Sequence, residues 1–224
     1  MTDRIWVGAF GAMAFNKIGL RHKFPGQPWE APYKNHIVPA RSPEFMDAFR
    51  RYSDGELVER EAFSECSAIY DAKRFAREKE FSRAGLGYIV DARVAELLEP
   101  FDLGPGGIFP YAIYEADEQT PIKDQWWMLG LGAQKRSFRP DKSKHAFLEC
   151  LFDGKGERDS SYGIMLPMPE DEYLAFSPAA LEGADLWTDR ELYGAFCFSD
   201  RLGQALQEAG LAHWFNLHAA RIVD

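Results

Sequence analysis

Residues 88–113 of this chain are echoed by residues 196–217. The first copy begins Tyr88-Ile89-Val90-Asp91-Ala92-Arg93-Val94-Ala95-Glu96-Leu97-Leu98. The second begins Phe196-Cys197-Phe198-Ser199-Asp200-Arg201-Leu202-Gly203-Gln204-Ala205-Leu206. Each reads as a short apolar strand, a capping residue (Asp91 or Ser199), an amphipathic helix and a second apolar strand. A helix with one apolar stripe has to bury it, and strands on either side supply a sheet to bury it on. Two copies are too few for a solenoid. The echo therefore predicts an α+β fold: a mixed or mostly antiparallel sheet with packed helices and two similar strand–helix–strand units in the C-terminal part.

The rest of the chain fits around these units. Residues 5–15 predict a strand interrupted by glycines, and residues 21–40, rich in Pro, Gly and aromatics, an irregular packed loop. Ser42-Pro43-Glu44 opens a helix with a cap, a first-position proline and an early acid, and Asp54-Gly55 closes it. Residues 56–82 fit no single pattern. Strands are predicted over 108–114 and 125–132, a hairpin over 146–152 and 161–166, and a closing strand over 214–217. The division expected from these signals is an N-terminal subdomain, residues 1–85, followed by an α+β domain, residues 86–224.

Composition removes several functions. A net charge of −9 repels nucleic acid and anionic membrane, so neither is expected as a partner. It favours encounter with a basic protein. No apolar run approaches the roughly 18 residues of a membrane span, and the N-terminus has no leader-like pattern. Cys66, Cys150 and Cys197 are widely spaced and odd in number, which predicts no disulfide framework. The cytoplasm is the expected compartment.

Local motifs for catalysis are missing. His22, His36, His145, His213 and His218 stand in no metal-ligand frame, and no Cys-x-x-Cys occurs, so no metal and no cofactor is expected. No Gly-x-Ser-x-Gly elbow is present. Gly130-Leu131-Gly132 and Gly104-Pro105-Gly106-Gly107 lack the full spacing of a phosphate loop. Two acidic tips remain, Glu115, Asp117 and Glu118 in one and Glu170, Asp171 and Glu172 in the other, both in hydrophilic loops. Trp126-Trp127 in a strand puts one ring on each face, one for the core and one for the surface. Trp126 is taken as the exposed anchor of a partner-binding surface that includes both acidic tips.

The C-terminal part resembles the predicted immunity proteins of bacterial polymorphic-toxin systems, the group named for a Myxococcus immunity gene. The resemblance lies in Val90 to Leu98 and the following strand, in Trp127-Met128-Leu129 leading to Asp141-Lys142-Ser143, in Leu181 to Trp187, and in Phe198 to Leu211. It covers about residues 85–218. It implies a non-enzymatic protein that binds a cognate secreted toxin, a basic domain such as a nuclease, and neutralises it. The competing expectation is a small-molecule enzyme or ligand-binding protein whose site is assembled from residues distant in sequence.

Overall fold

The computed structural model describes residues 4–9, 19–30, 42–76, 81–144, 146–152, 158–164, 173–192 and 194–224. In chain order the strands are β1 (Arg4–Ala9), β2 (Leu20–Lys23), β3 (Cys66–Ile69), β4 (Phe81–Ala84), β5 (Gly87–Asp91), β6 (Ile108–Tyr114) and β7 (Trp126–Leu129). They continue with β8 (Gln134–Lys135), β9 (Ala146–Phe152), β10 (Arg158–Ile164), β11 (Ala175–Phe176), β12 (Leu186–Asp189), β13 (Ala195–Ser199) and β14 (Leu217–Ile222). The α-helices are α1 (Pro43–Ser53), α2 (Ala72–Phe75), α3 (Ala92–Leu98) and α4 (Asp200–Glu208).

The helix starts follow from capping chemistry. An Asp91 side-chain oxygen accepts from the Val94 N–H at 2.9 Å, and the Ser199 hydroxyl accepts from the Leu202 N–H at 3.2 Å. Ser42 does the same for Phe45 at the head of α1. Val94, Ala95 and Leu98 bury one face of α3, and Leu202, Gly203 and Leu206 the matching face of α4. Gly210, at φ +72°, ends α4, and the Leu211 N–H returns to the Leu206 carbonyl at 2.8 Å.

The strands form two six-stranded mixed sheets, ordered β2-β3-β6-β7-β5-β4 and β11-β14-β1-β13-β12-β8, plus the β9–β10 hairpin. The fold class is α+β. Five strands of one sheet have counterparts in the other, β3-β6-β7-β5-β4 matching β11-β14-β1-β13-β12. The first pair in each series is parallel and the rest are antiparallel. The registers match too. Trp127 lies opposite Val90 and Pro110, and Trp6 lies opposite Phe198 and Ala219. Trp127 and Trp6 therefore hold the same place in their sheets.

Each unit is a split strand–helix–strand, because a third strand lies between the two that flank the helix. In the first unit that strand, β7, follows β6 directly. In the second it is β1, drawn from the other end of the chain. The units meet through equivalent residues: the Tyr88 and Phe196 rings pack edge to face, centroids 5.2 Å apart. The Arg93 side chain of α3 also donates to the Ala209 carbonyl beyond α4. One apolar core runs through both, holding Val90, Val94 and Leu98 together with Trp6, Phe198 and Leu206. A second core fills the far face of the C-terminal sheet around Ile5, Val7, Trp187 and Cys197, with Tyr162 of the hairpin packed against it.

Two expectations are corrected. A boundary at residue 85 separates no sheets: β4 pairs with β5 across it, and β1 lies inside the sheet otherwise built from residues 134–222. The closing strand is Leu217–Ile222, because residues 213–216 form turns, with Asn216 at φ +45°. The first strand is Arg4–Ala9, and residues 10–15 lie outside the described residues.

Candidate functional site

The two glycine runs are packing devices. A Cβ on Gly106 would come within 2.3 Å of the Gly130 and Leu131 carbonyl oxygens, and one on Gly132 within 2.7 Å of the Gly106 nitrogen. The runs lie backbone on backbone, with the Gly130 N–H bonded to the Gly107 carbonyl at 2.8 Å. This contact fixes the turn between α3 and β6 against the end of β7.

A groove of about 620 Å³ opens beside that turn. Trp127 of β7, Ile108 and Pro110 of β6 and Phe101 of the turn give it apolar walls, and Glu96 and Glu99 of α3 stand on its rim. Trp127 is half-buried and both glutamates are exposed. Neither glutamate makes an ion pair or a side-chain hydrogen bond among the described residues. Asp102, also on the rim, has the Arg201 charge near it. The groove thus joins an aromatic face to uncompensated negative charge. That combination attracts cations, through the ring quadrupole and through Coulomb attraction.

Of the Trp126-Trp127 pair, Trp126 is the core ring. It is 5% exposed, its centroid 5.8 Å from that of Phe75, so the expected exposed anchor is corrected to its neighbour. Strand alternation sets the two rings on opposite faces but does not say which face is wet.

The first acidic tip forms the loop of the β6–β7 hairpin. Asp117 accepts from the Gln119 and Thr120 N–H groups at 3.0 and 2.8 Å and from the Thr120 hydroxyl at 2.6 Å. The Thr120 bonds, followed by the one from Gln119, hold its carboxyl below the usual range. Glu118, at φ +63°, pairs with Arg21. Two of the three acids hold the turn, and Glu115 is left exposed. Glu170, Asp171 and Glu172 lie outside the described residues.

Reactive side-chain types do come together elsewhere, in a constellation that sequence reading missed. The Gly85 N–H donates to His22 Nε2 at 3.1 Å, which leaves Nδ1 as the ring donor, toward the Ser67 hydroxyl at 2.7 Å. The Tyr111 hydroxyl sits 2.6 Å from Ser67 and 2.7 Å from Ser64. His22 is 3% exposed, Tyr111 4%, and both serines are fully buried. Burial pushes the Tyr111 phenol well up. Each of these groups is engaged in a buried network that ties β2, β3 and β6 together. Burial likewise raises the Cys66 thiol and, further, that of Cys197. Among the described residues no group of three or more His, Cys, Asp or Glu is placed to hold a metal ion, and no helix is long and apolar enough to cross a membrane.

Compared with family models, curated proteins and solved structures, the chain matches none.

Proposed function

We propose that the protein is an immunity protein: a non-enzymatic cytoplasmic binder that neutralises a cognate, basic secreted toxin such as a nuclease. The observation that carries this reading is the Trp127 groove, where a half-buried indole lies beside two carboxylates with no ion pair among the described residues, on a chain of net charge −9. Aromatic anchors in acidic surroundings are what a basic protein surface binds, the ring supplying the desolvated contact and the carboxylates the encounter rate. Glu115 at the tip of the same hairpin extends the negative surface.

Co-expression tests it. A toxin domain encoded next to this gene should kill a host alone and be harmless when this protein is present at equal amount. Continued killing by every neighbouring toxin domain would end the immunity reading. The second reading is a small-molecule binder, favoured by the volume of the same groove. It predicts a metabolite carried through purification, seen as a stoichiometric mass in denatured extracts of the native protein.

A further inference from the structure

The second unit shows what the first one lacks. At the place equivalent to Trp127, Trp6 is 4% exposed. Its ring atoms lie where a Cβ on Gly203 would be, at 2.1 to 2.6 Å, so only glycine lets the indole lie flat on α4. Its Nε1–H donates to Asp200 at 3.0 Å. The Arg4 guanidinium sits 4.9 Å from the ring centroid and bonds the same Asp200 carboxylate at 2.8 Å. The second unit thus carries its own arginine, stacked on its tryptophan and paired with a helix carboxylate.

Matched by register and by the echoed helices, the first unit changes each part. Ala95 stands for Gly203, so a methyl group occupies the seat where the indole would lie, and Trp127 borders an open groove. Gln125 stands for Arg4, and among the described residues no cation covers the ring. Ala92 stands for Asp200, while Glu96 and Glu99 replace the neutral Gln204 and Gln207. Those glutamates lie three residues apart at the C-terminal end of α3, where they repel each other and oppose the helix dipole. Helix α4 also ends in an acid, Glu208, but the repelling pair of glutamates occurs in α3 and not in α4, and such a pair beside an open ring marks a site kept for binding.

We propose that the Trp127 groove receives an arginine side chain of the protein partner. The guanidinium takes the place Arg4 has in the second unit, over the indole ring, and pairs with Glu96 and Glu99. The bound cation relieves both the glutamate repulsion and the clash with the dipole. The proposal rests on the reading of the protein as a binder of a basic partner and names the contact that reading needs.

The probe is a hexa-arginine peptide, with hexa-citrulline, of the same shape without the charge, as its control. Titrated into the full-length protein at low salt, the arginine peptide should bind and shift one indole N–H resonance that is missing in Trp127→Leu. Glu96→Gln with Glu99→Gln should weaken binding by about tenfold or more, while Glu115→Gln should change it less than about twofold. Gln125→Arg, which gives the first unit its own cation, should weaken the peptide by about tenfold without loss of the folded spectrum. Equal losses from the groove and tip variants would mean attraction to net charge alone and would overturn the proposal. So would no binding, equal binding of hexa-citrulline, or a preference for choline over the peptide. The assay contains no toxin. Peptide binding through Trp127 without protection from any toxin would sink the immunity reading and leave the groove standing. Protection without peptide binding would do the reverse.

Discussion

Asp185, just before β12, takes four hydrogen bonds on its two oxygens. They come from the Asp102 N–H at 2.9 Å, the Ser199 hydroxyl at 2.6 Å, Arg201 Nε at 2.7 Å and an Arg201 terminal nitrogen. It thereby clasps the turn after α3 to the start of α4. Burial alone would raise its carboxyl, but these bonds, led by those from Arg201, outweigh burial and hold it below the usual carboxylate range. A depressed carboxyl contributes stability that is fully present above its unfolded value and fades as pH falls through its lower folded value. Asp185→Asn should cost about 2–3 kcal/mol at pH 7, because it strips charge from several donors at once. The Arg201 share is small, since that side chain is 64% exposed and screened. The gap between variant and parent should shrink below about pH 4. Denaturant titrations at pH 7 and pH 3 check this, and a gap that stays constant would assign the cost to shape rather than charge. None of it was legible in the sequence, where Asp102, Asp185 and Arg201 stand in three separate polar stretches. A carboxylate's partners are chosen by the fold, and no spacing rule reaches across 83 residues, the separation of Asp102 and Asp185.

Helices α3 and α4 were the most readable elements, because a cap and an apolar stripe are local signals that survive any tertiary arrangement. Leu206, in the α4 stripe, is fully buried, and Leu206→Ala should cost about 2–5 kcal/mol in a denaturant melt. A loss below about 0.5 kcal/mol would put the stripe in water. The glycine in that stripe was readable as part of the pattern but not for its reason. By propensity Gly203→Ala should strengthen a helix by about 1 kcal/mol. The structure predicts the opposite sign, because Trp6 is held by Asp200 and cannot retreat from a Cβ at 2.1 Å. A net loss of about 1–3 kcal/mol is expected, measured by the same melts, with a red-shifted emission as Trp6 is displaced. The groove was illegible for a related reason. Trp127 comes from β7 and Glu96 and Glu99 from α3, and only the α3–β6 turn, set by the glycine contacts, brings them to one opening.

On the scale of the whole molecule, the two units share a core from Val90 and Leu98 to Phe198 and Leu206, so they are expected to melt together. Tryptophan fluorescence and far-ultraviolet dichroism should give coincident transitions, and two separated midpoints would show the units to be independent. The fold class could be read from the echo, whereas the sheet order could not. β1 pairs with β13 through contacts such as Ile5 with Ser199, nearly the full length of the chain apart, and apolar alternation says that a strand exists but not which strand it will join.

That long-range pairing has a consequence for the order in which the protein is made. Strands β2 to β7 all lie within residues 20–129, so the first sheet has every one of its parts while the ribosome is still adding the second. β1 leaves the ribosome long before its neighbours β13 and β14, so it waits for both partners until the residues up to 222 have been made. The later-made strands then close around β1, and Trp6 reaches its seat on Gly203 only at that moment. Slowing translation between codons 130 and 195 should therefore lengthen the life of a half-built chain whose exposed β1 invites pairing with another copy.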